Sequence, residues 1–297
     1  MVSKNFKENK RDNLKKFIEL IPFGIHVIRY ESIKLRDAVY VAVTRSLLEG
    51  MLLLPLISSF FYREILTIIA LYSVTYLLMI CVYEIFYLYN DIFAIKWEDK
   101  PTIRKYTQLI SLKISIIARV LYICIFCLLI LSIFFVKIEG IAIGLILLIL
   151  SLLIHNHQKS KINRIFTFSL VRLSRLLFTP LIILYPEIDV LSYVPVIIMP
   201  YLISEIVEAY RYQIKKYDIQ TPKIQVPLYL LYSIFLPIQV VTLNFKLQAL
   251  LGNILIIVLS LIRRLLGFHV GVIIKLVVKY LVKESYDSSN TITKHDT

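Results

Sequence analysis

Nine stretches of the chain are rich in apolar residues, at about 38–61, 65–89, 111–136, 140–154, 168–185, 190–210, 226–243, 247–262 and 268–282. Several approach the roughly 20 residues that cross a hydrocarbon core as a helix. None alternates apolar and polar positions as the strands of a transmembrane barrel do. A helix satisfies its own backbone hydrogen bonds in lipid. The pattern predicts an all-α, multi-pass transmembrane helical bundle of about nine spans over residues 38–282. Residues 1–37 read as a basic tail and an interfacial helix, and 283–297 as a polar, disordered tail. Within the first region, residues 17–28 form a short apolar stretch interrupted by Glu19 and Pro22, with no small-residue cleavage site after it. A helix lying in the interface is expected there, not a signal peptide.

Composition agrees with this reading. Apolar residues make up 58% of the 297, above the 45–50% usual in soluble domains, and mean hydropathy is +0.76. The excess needs a lipid environment as well as a core.

Net charge is +14. In a soluble chain that would suggest nucleic acid, but here the basic residues lie between apolar runs, so no nucleic-acid partner is expected. The gaps after spans two, four and six hold Lys96, Lys100, Arg104 and Lys105; Lys159, Lys161 and Arg164; and Arg211, Lys215, Lys216 and Lys223. The gaps after spans one, three, five and seven hold Arg63, Lys137, no basic residue, and Lys246. This alternation follows the positive-inside rule and predicts a cytoplasmic N-terminus, with a bacterial cytoplasmic membrane as the expected setting. Cys124 and Cys127 have redox spacing, but their apolar surroundings argue against thiolate chemistry.

Ionisable groups inside spans normally face a cavity or a partner. Arg45 and Glu49 sit four apart in span one, either paired with each other or lining a cavity. Arg119 lies two turns into span three, and Arg172 and Arg175 near the start of span five, where snorkelling to headgroups is the simpler account. Glu84, Leu88 and Asp91 share one helical face leading to the cytoplasmic mouth, with Glu98 on the same stripe if the helix continues. Glu205, Glu208 and Tyr212 repeat the arrangement in span six. At an offset of 121 residues, Glu84-Ile85, Tyr89, Pro101 and Ile103 recur as Glu205-Ile206, Tyr210, Pro222 and Ile224, a faint internal echo.

Carboxylates from two helices, ringed by lysines and arginines, suit a diphosphate held through magnesium. The same acids can instead pair with those basic residues and bind no ligand. The aromatics Tyr83, Phe86, Tyr87, Tyr89, Phe93 and Trp97 read as an interfacial belt before they read as a shield for a cation. His155 and His157 read as surface residues.

These features resemble the UbiA family of intramembrane prenyltransferases. That family has nine helices, an Asn-Asp-x-x-Asp-x-x-x-Asp motif after helix two and a second acidic motif after helix six. Here Asn90 and Asp91 match, Glu98 fills the last acidic position conservatively, and Ala94 stands where the middle Asp belongs. Glu205, Glu208, Lys216, Asp218 and Thr221-Pro222 resemble the second motif loosely. The resemblance implies magnesium as cofactor, a polyprenyl diphosphate as donor, an unknown acceptor and the lipid bilayer as partners. It implies Asn90, Asp91 and Glu98 as catalytic residues. Asp91 and Glu98 would hold one metal, and Asp218 with Glu205 or Glu208 a second. Arg104, Lys159, Arg211 and Lys216 would bind phosphate, with Glu84 and Arg45 on the substrate path. A relative that binds a polyprenyl phosphate or another lipid without chemistry, and a small membrane transporter, are the competing readings. With seven glycines and no glycine-rich phosphate loop, a nucleotide-driven mechanism is not expected.

Overall fold

The computed structural model describes residues 18–25, 49–50, 53–55, 57–58, 64–93, 111–159, 161–186, 198–204, 206–207, 210, 228–242, 251, 253–254 and 257–258. Among them the secondary structure is helical, without strands. Five longer helices run α1 (Ile65–Ile92), α2 (Leu112–Phe134), α3 (Ile138–Asn156), α4 (Lys161–Leu184) and α5 (Leu228–Thr242). The first four are long and apolar enough to cross a membrane, while α5 is shorter. The chain is thus a helical membrane protein.

α1 contains neither Gly nor Pro and is apolar all round its circumference, the composition of a helix surrounded by other helices or lipid. Its 28 residues extend about 42 Å at 1.5 Å per residue, more than the roughly 30 Å of hydrocarbon. At least one end of α1 therefore extends beyond the hydrocarbon, and Asn90 and Asp91 lie in its last turn. Over its most apolar stretch α1 is 56% buried and α2 22%, which makes α1 central and α2 peripheral. On α2, Ile114, Ile117, Leu121, Ile125 and Leu128 are exposed at helical spacing and form a lipid-facing stripe.

α1 and α2 run antiparallel, with Glu84 opposite Arg119 and Leu88 beside Leu112 and Ile116. α2 stops at Phe135, which adopts the left-handed conformation (φ 52°). Three residues, Phe135–Lys137, separate it from α3. α3 and α4 form the most extensive helix pair. Two glycines one turn apart permit it. A Cβ on Gly140 would lie 3.1 Å from the Leu181 carbonyl oxygen and from Tyr185 Cβ, and one on Gly144 3.3 Å from Ile182 Cγ1. Toward the other end of the pair, the Ser151 and Ser174 hydroxyls share a 2.7 Å hydrogen bond. α4 also packs on α1, where Tyr83 Oη donates to the Val171 carbonyl at 3.2 Å.

Several boundaries and environments differ from expectation. α3 is a full 19-residue helix where the pattern marks a shorter run. α4 begins at Lys161, so Lys161 and Arg164 belong to its first turns, not to the loop. A helix continues past its apolar segment wherever its polar turns remain packed or solvated, and hydropathy does not register those turns. That earlier start places Arg175 about four turns into α4. Its side chain is buried and paired with Glu49, so it does not snorkel. The partner of Glu49 is thus Arg175; Arg45 lies outside the described residues. Residues 18–20 and 24–25 are helical with a turn at 21–23 between them, and Glu19 and Ile25 are buried. The runs at 38–61, 190–210 and 247–262 are described only in part, and 268–282 not at all. Of span six, Ile198, Tyr201 and Leu202 join the core.

Candidate functional site

Four helix ends meet at the end of the bundle that carries Asp91. α1 ends there, and α2 begins beside it, where Leu112 packs with Leu88. The turn from α3 to α4 closes the third side. Tyr89 Oη and His157 Nε2 are 3.2 Å apart, and Asn156 Nδ2 donates to the Phe86 carbonyl at 3.4 Å. Phe86, Tyr89, Phe93 and His157 form a chain of ring contacts across this end. His155 meets Thr167 Oγ1 at 3.0 Å. Both histidines therefore have protein partners.

Asp91 is buried, and Asn90 Nδ2 donates to its Oδ1 at 3.1 Å. The carboxylate sits at the C-terminal pole of α1, whose last turn has no basic residue. That pole carries partial negative charge and favours a cation. Magnesium is commonly held by one or two carboxylates together with phosphate oxygens and water, and Asp91 fits as one such ligand. Among the described residues no three His, Cys, Asp or Glu side chains cluster closely enough to hold a metal. Lys159 is exposed in the α3–α4 turn, two residues from His157, which meets Tyr89 of α1. Glu98, Arg104, Glu205, Glu208, Arg211, Lys216 and Asp218 lie outside the described residues, as does Ala94.

Glu84 shares the buried face of α1 with Leu88 and Asp91, as the spacing predicts, but it does not open to the mouth. Arg119 Nε donates to Glu84 Oε2 at 2.9 Å, and both side chains are fully buried. Arg119 Nη2 donates to the Ile21 carbonyl at 2.9 Å, and Nη1 donates to the Glu19 carbonyl. The Glu19 carboxylate in turn accepts from the Ser111 amide at 2.9 Å and from the Ser115 hydroxyl. A negative group thus caps the positive pole of α2. Glu84 and Arg119 stand about 12 Å below the helix ends, from eight and seven residues of helix.

A second buried pair lies against α1 between Tyr76 and Tyr83. Arg175 donates through Nη2 to Glu49 and to Tyr76 Oη at 3.3 Å, and its guanidinium is 5.9 Å from the Tyr83 ring centre. Among the described residues Arg175 Nε has no hydrogen-bond acceptor, nor has the hydroxyl of Tyr72 a partner. Arg172 is half-buried and lies 4.5 Å over the Phe168 ring. The glycine pair of α3 and the cross-helix partners of Arg119 and Arg175 escape the sequence reading. The glycine spacing was open to it; the cross-helix pairs were not.

No family model matches the chain, and no curated protein and no solved structure is significantly similar to it.

Proposed function

We propose that the chain is a UbiA-like membrane prenyltransferase, which moves a polyprenyl group from its diphosphate to an acceptor with magnesium. The observation that carries the reading is Asn90-Asp91 at the C-terminal end of a long central helix, with Asp91 buried beside Asn90. In this reading that end of α1 reaches the headgroup layer, where a diphosphate sits while its isoprenoid tail stays in lipid. Magnesium, when bound with the diphosphate, acts as a Lewis acid on the leaving group.

The chain's own residues have distinct tasks in this reading. Asp91 supplies a ligand oxygen, and Asn90 fixes the carboxylate's orientation. Lys159 neutralises phosphate charge from the α3–α4 turn. Glu98, Glu205, Glu208 and Asp218 are the further metal-ligand candidates, and Arg104, Arg211 and Lys216 the further phosphate candidates. Glu84 enters through its pair with Arg119, as support for the helix segment below Asp91.

Ala94 favours a second reading, in which the same end binds a polyprenyl phosphate without chemistry, because the middle acid of the family motif is missing. The test of the site common to both is Asp91→Ala in the full-length protein. Its binding of a non-hydrolysable farnesyl diphosphate analogue in magnesium should be abolished, with thermal stability nearly unchanged. Binding equal to wild type would overturn the assignment of Asp91. Formation of a prenylated acceptor by the wild type separates the transferase from the binder.

A further inference from the structure

Backbone that is not helical is tolerated at membrane depth only where protein buries it and takes up its polar groups. Residues 21–23 are a non-helical turn between the helical residues 18–20 and 24–25, and a neighbouring helix takes up carbonyls of this stretch. At this turn Gly24 N–H donates to the Ile21 carbonyl at 2.9 Å and Ile21 N–H to the Ile18 carbonyl at 3.3 Å. Phe23 takes the left-handed conformation, φ 69°, which is uncommon for a bulky residue. Gly24 is required there, because a Cβ would run into the Ile18 carbonyl oxygen. At the tip, Phe23 stacks on Tyr76 with ring centres 6.1 Å apart.

This turn enters between α1 and α2 and is held at both. Arg119 takes the Glu19 and Ile21 carbonyls, and the Glu19 carboxylate takes the first amide and hydroxyl of α2. Ile25 is fully buried against Leu88, the residue between Glu84 and Asp91 on the α1 face that leads to the candidate site. Ile25 and Leu88 form a small apolar cluster with Ile18, Leu112 and Ile116, separate from the main core. Leu20 and Ile21, by contrast, are 39% exposed. Beside these apolar contacts the segment is tied to α2 by the Arg119 and Glu19 groups, and a short segment held by a few polar groups can open locally without unfolding the rest.

We propose that Ile18–Ile25 is a cover over the Leu88–Asp91 face of α1 and that Arg119, held in place by Glu84, is its latch. What enters beneath it is the diphosphate of the proposed function, and to that extent the cover rests on that reading. Arg119 is a positioning residue here. It controls access to the Asp91 end without touching the ligand.

The test uses the full-length protein in lipid nanodiscs with Ile25→Cys as a reporter for a water-soluble maleimide. Cys81, Cys124 and Cys127 lie within apolar helices, and the chain without the added cysteine gives their background rate. Labelling at position 25 should be slow with Arg119 present and at least tenfold faster in Arg119→Gln. The Gly24→Val variant, which breaks the turn and leaves Arg119 and Glu84 in place, should show the same increase and serves if Arg119→Gln does not fold. Unchanged labelling in a folded variant would overturn the cover. So would labelling of Ile25→Cys as fast as that of Lys159→Cys in the otherwise unaltered chain. Diphosphate binding is not read in this experiment, so failure of the proposed function and failure of the cover are distinguishable.

Discussion

Two arginine–carboxylate pairs are buried in this bundle, and they do different work. Glu84–Arg119 ties α2 to α1 and, through the same guanidinium, satisfies two carbonyls, of Glu19 and Ile21, where a helical turn gives way to irregular backbone. Among the described residues Glu49–Arg175 adds the Tyr76 hydroxyl and the Tyr83 ring, and Arg175 Nε has no acceptor. Arg175 lies in a regular stretch of α4 and serves no irregular backbone in the described contacts. Replacing a buried ion pair by apolar residues of similar volume is often harmless, but removing one partner leaves an uncompensated group. The first pair cannot be replaced so simply, because its arginine also serves the main chain.

The largest effect expected is for Arg119→Met. It leaves the Glu84 carboxylate and two carbonyls without their donor, and should lower stability by about 3–5 kcal/mol in reversible unfolding in mixed micelles. The double replacements sharpen the contrast. Glu49→Leu with Arg175→Met should fall within about 1.5 kcal/mol of wild type, as a volume-conserving apolar swap does. Glu84→Leu with Arg119→Met should remain destabilised by about 1–3 kcal/mol for each carbonyl left unpaired. Equal behaviour of the two double mutants would erase the distinction.

Two smaller effects concern the α3–α4 pair, which contains neither ion pair. Gly144→Leu should destabilise by about 1–3 kcal/mol through overpacking against Ile182 and Phe178. Ser151→Ala should change stability by only about 0.6 kcal/mol, the usual size of an interhelical hydrogen bond in a membrane.

Much of this was legible in the chain. Hydropathy locates α1 to α4, because a lipid-crossing helix has to be apolar over its length whatever it packs against. Spacing places Glu84, Leu88 and Asp91 on one face, and all three are buried there. Partners were not legible. Glu84 and Arg119 are 35 residues apart and Glu49 and Arg175 126 apart, and such meetings depend on how helices are arranged, which no local period encodes. Arg175 reads as a surface group only because the polar first turns of α4 hide its start at Lys161. Glu19 and Pro22 mark residues 17–28 as interrupted, but not that the interruption turns inward between α1 and α2. At the candidate site, Asn90 and Asp91 fall in the last turn of a helix long and apolar enough to cross a membrane.

The most direct test of the proposed function is binding of a farnesyl diphosphate analogue to the purified wild-type protein, in magnesium and in EDTA. Saturable binding in magnesium that is lost in EDTA is the predicted result. Binding of equal strength in both conditions, or none in either by folded protein, would contradict a magnesium-held diphosphate at the Asp91 end.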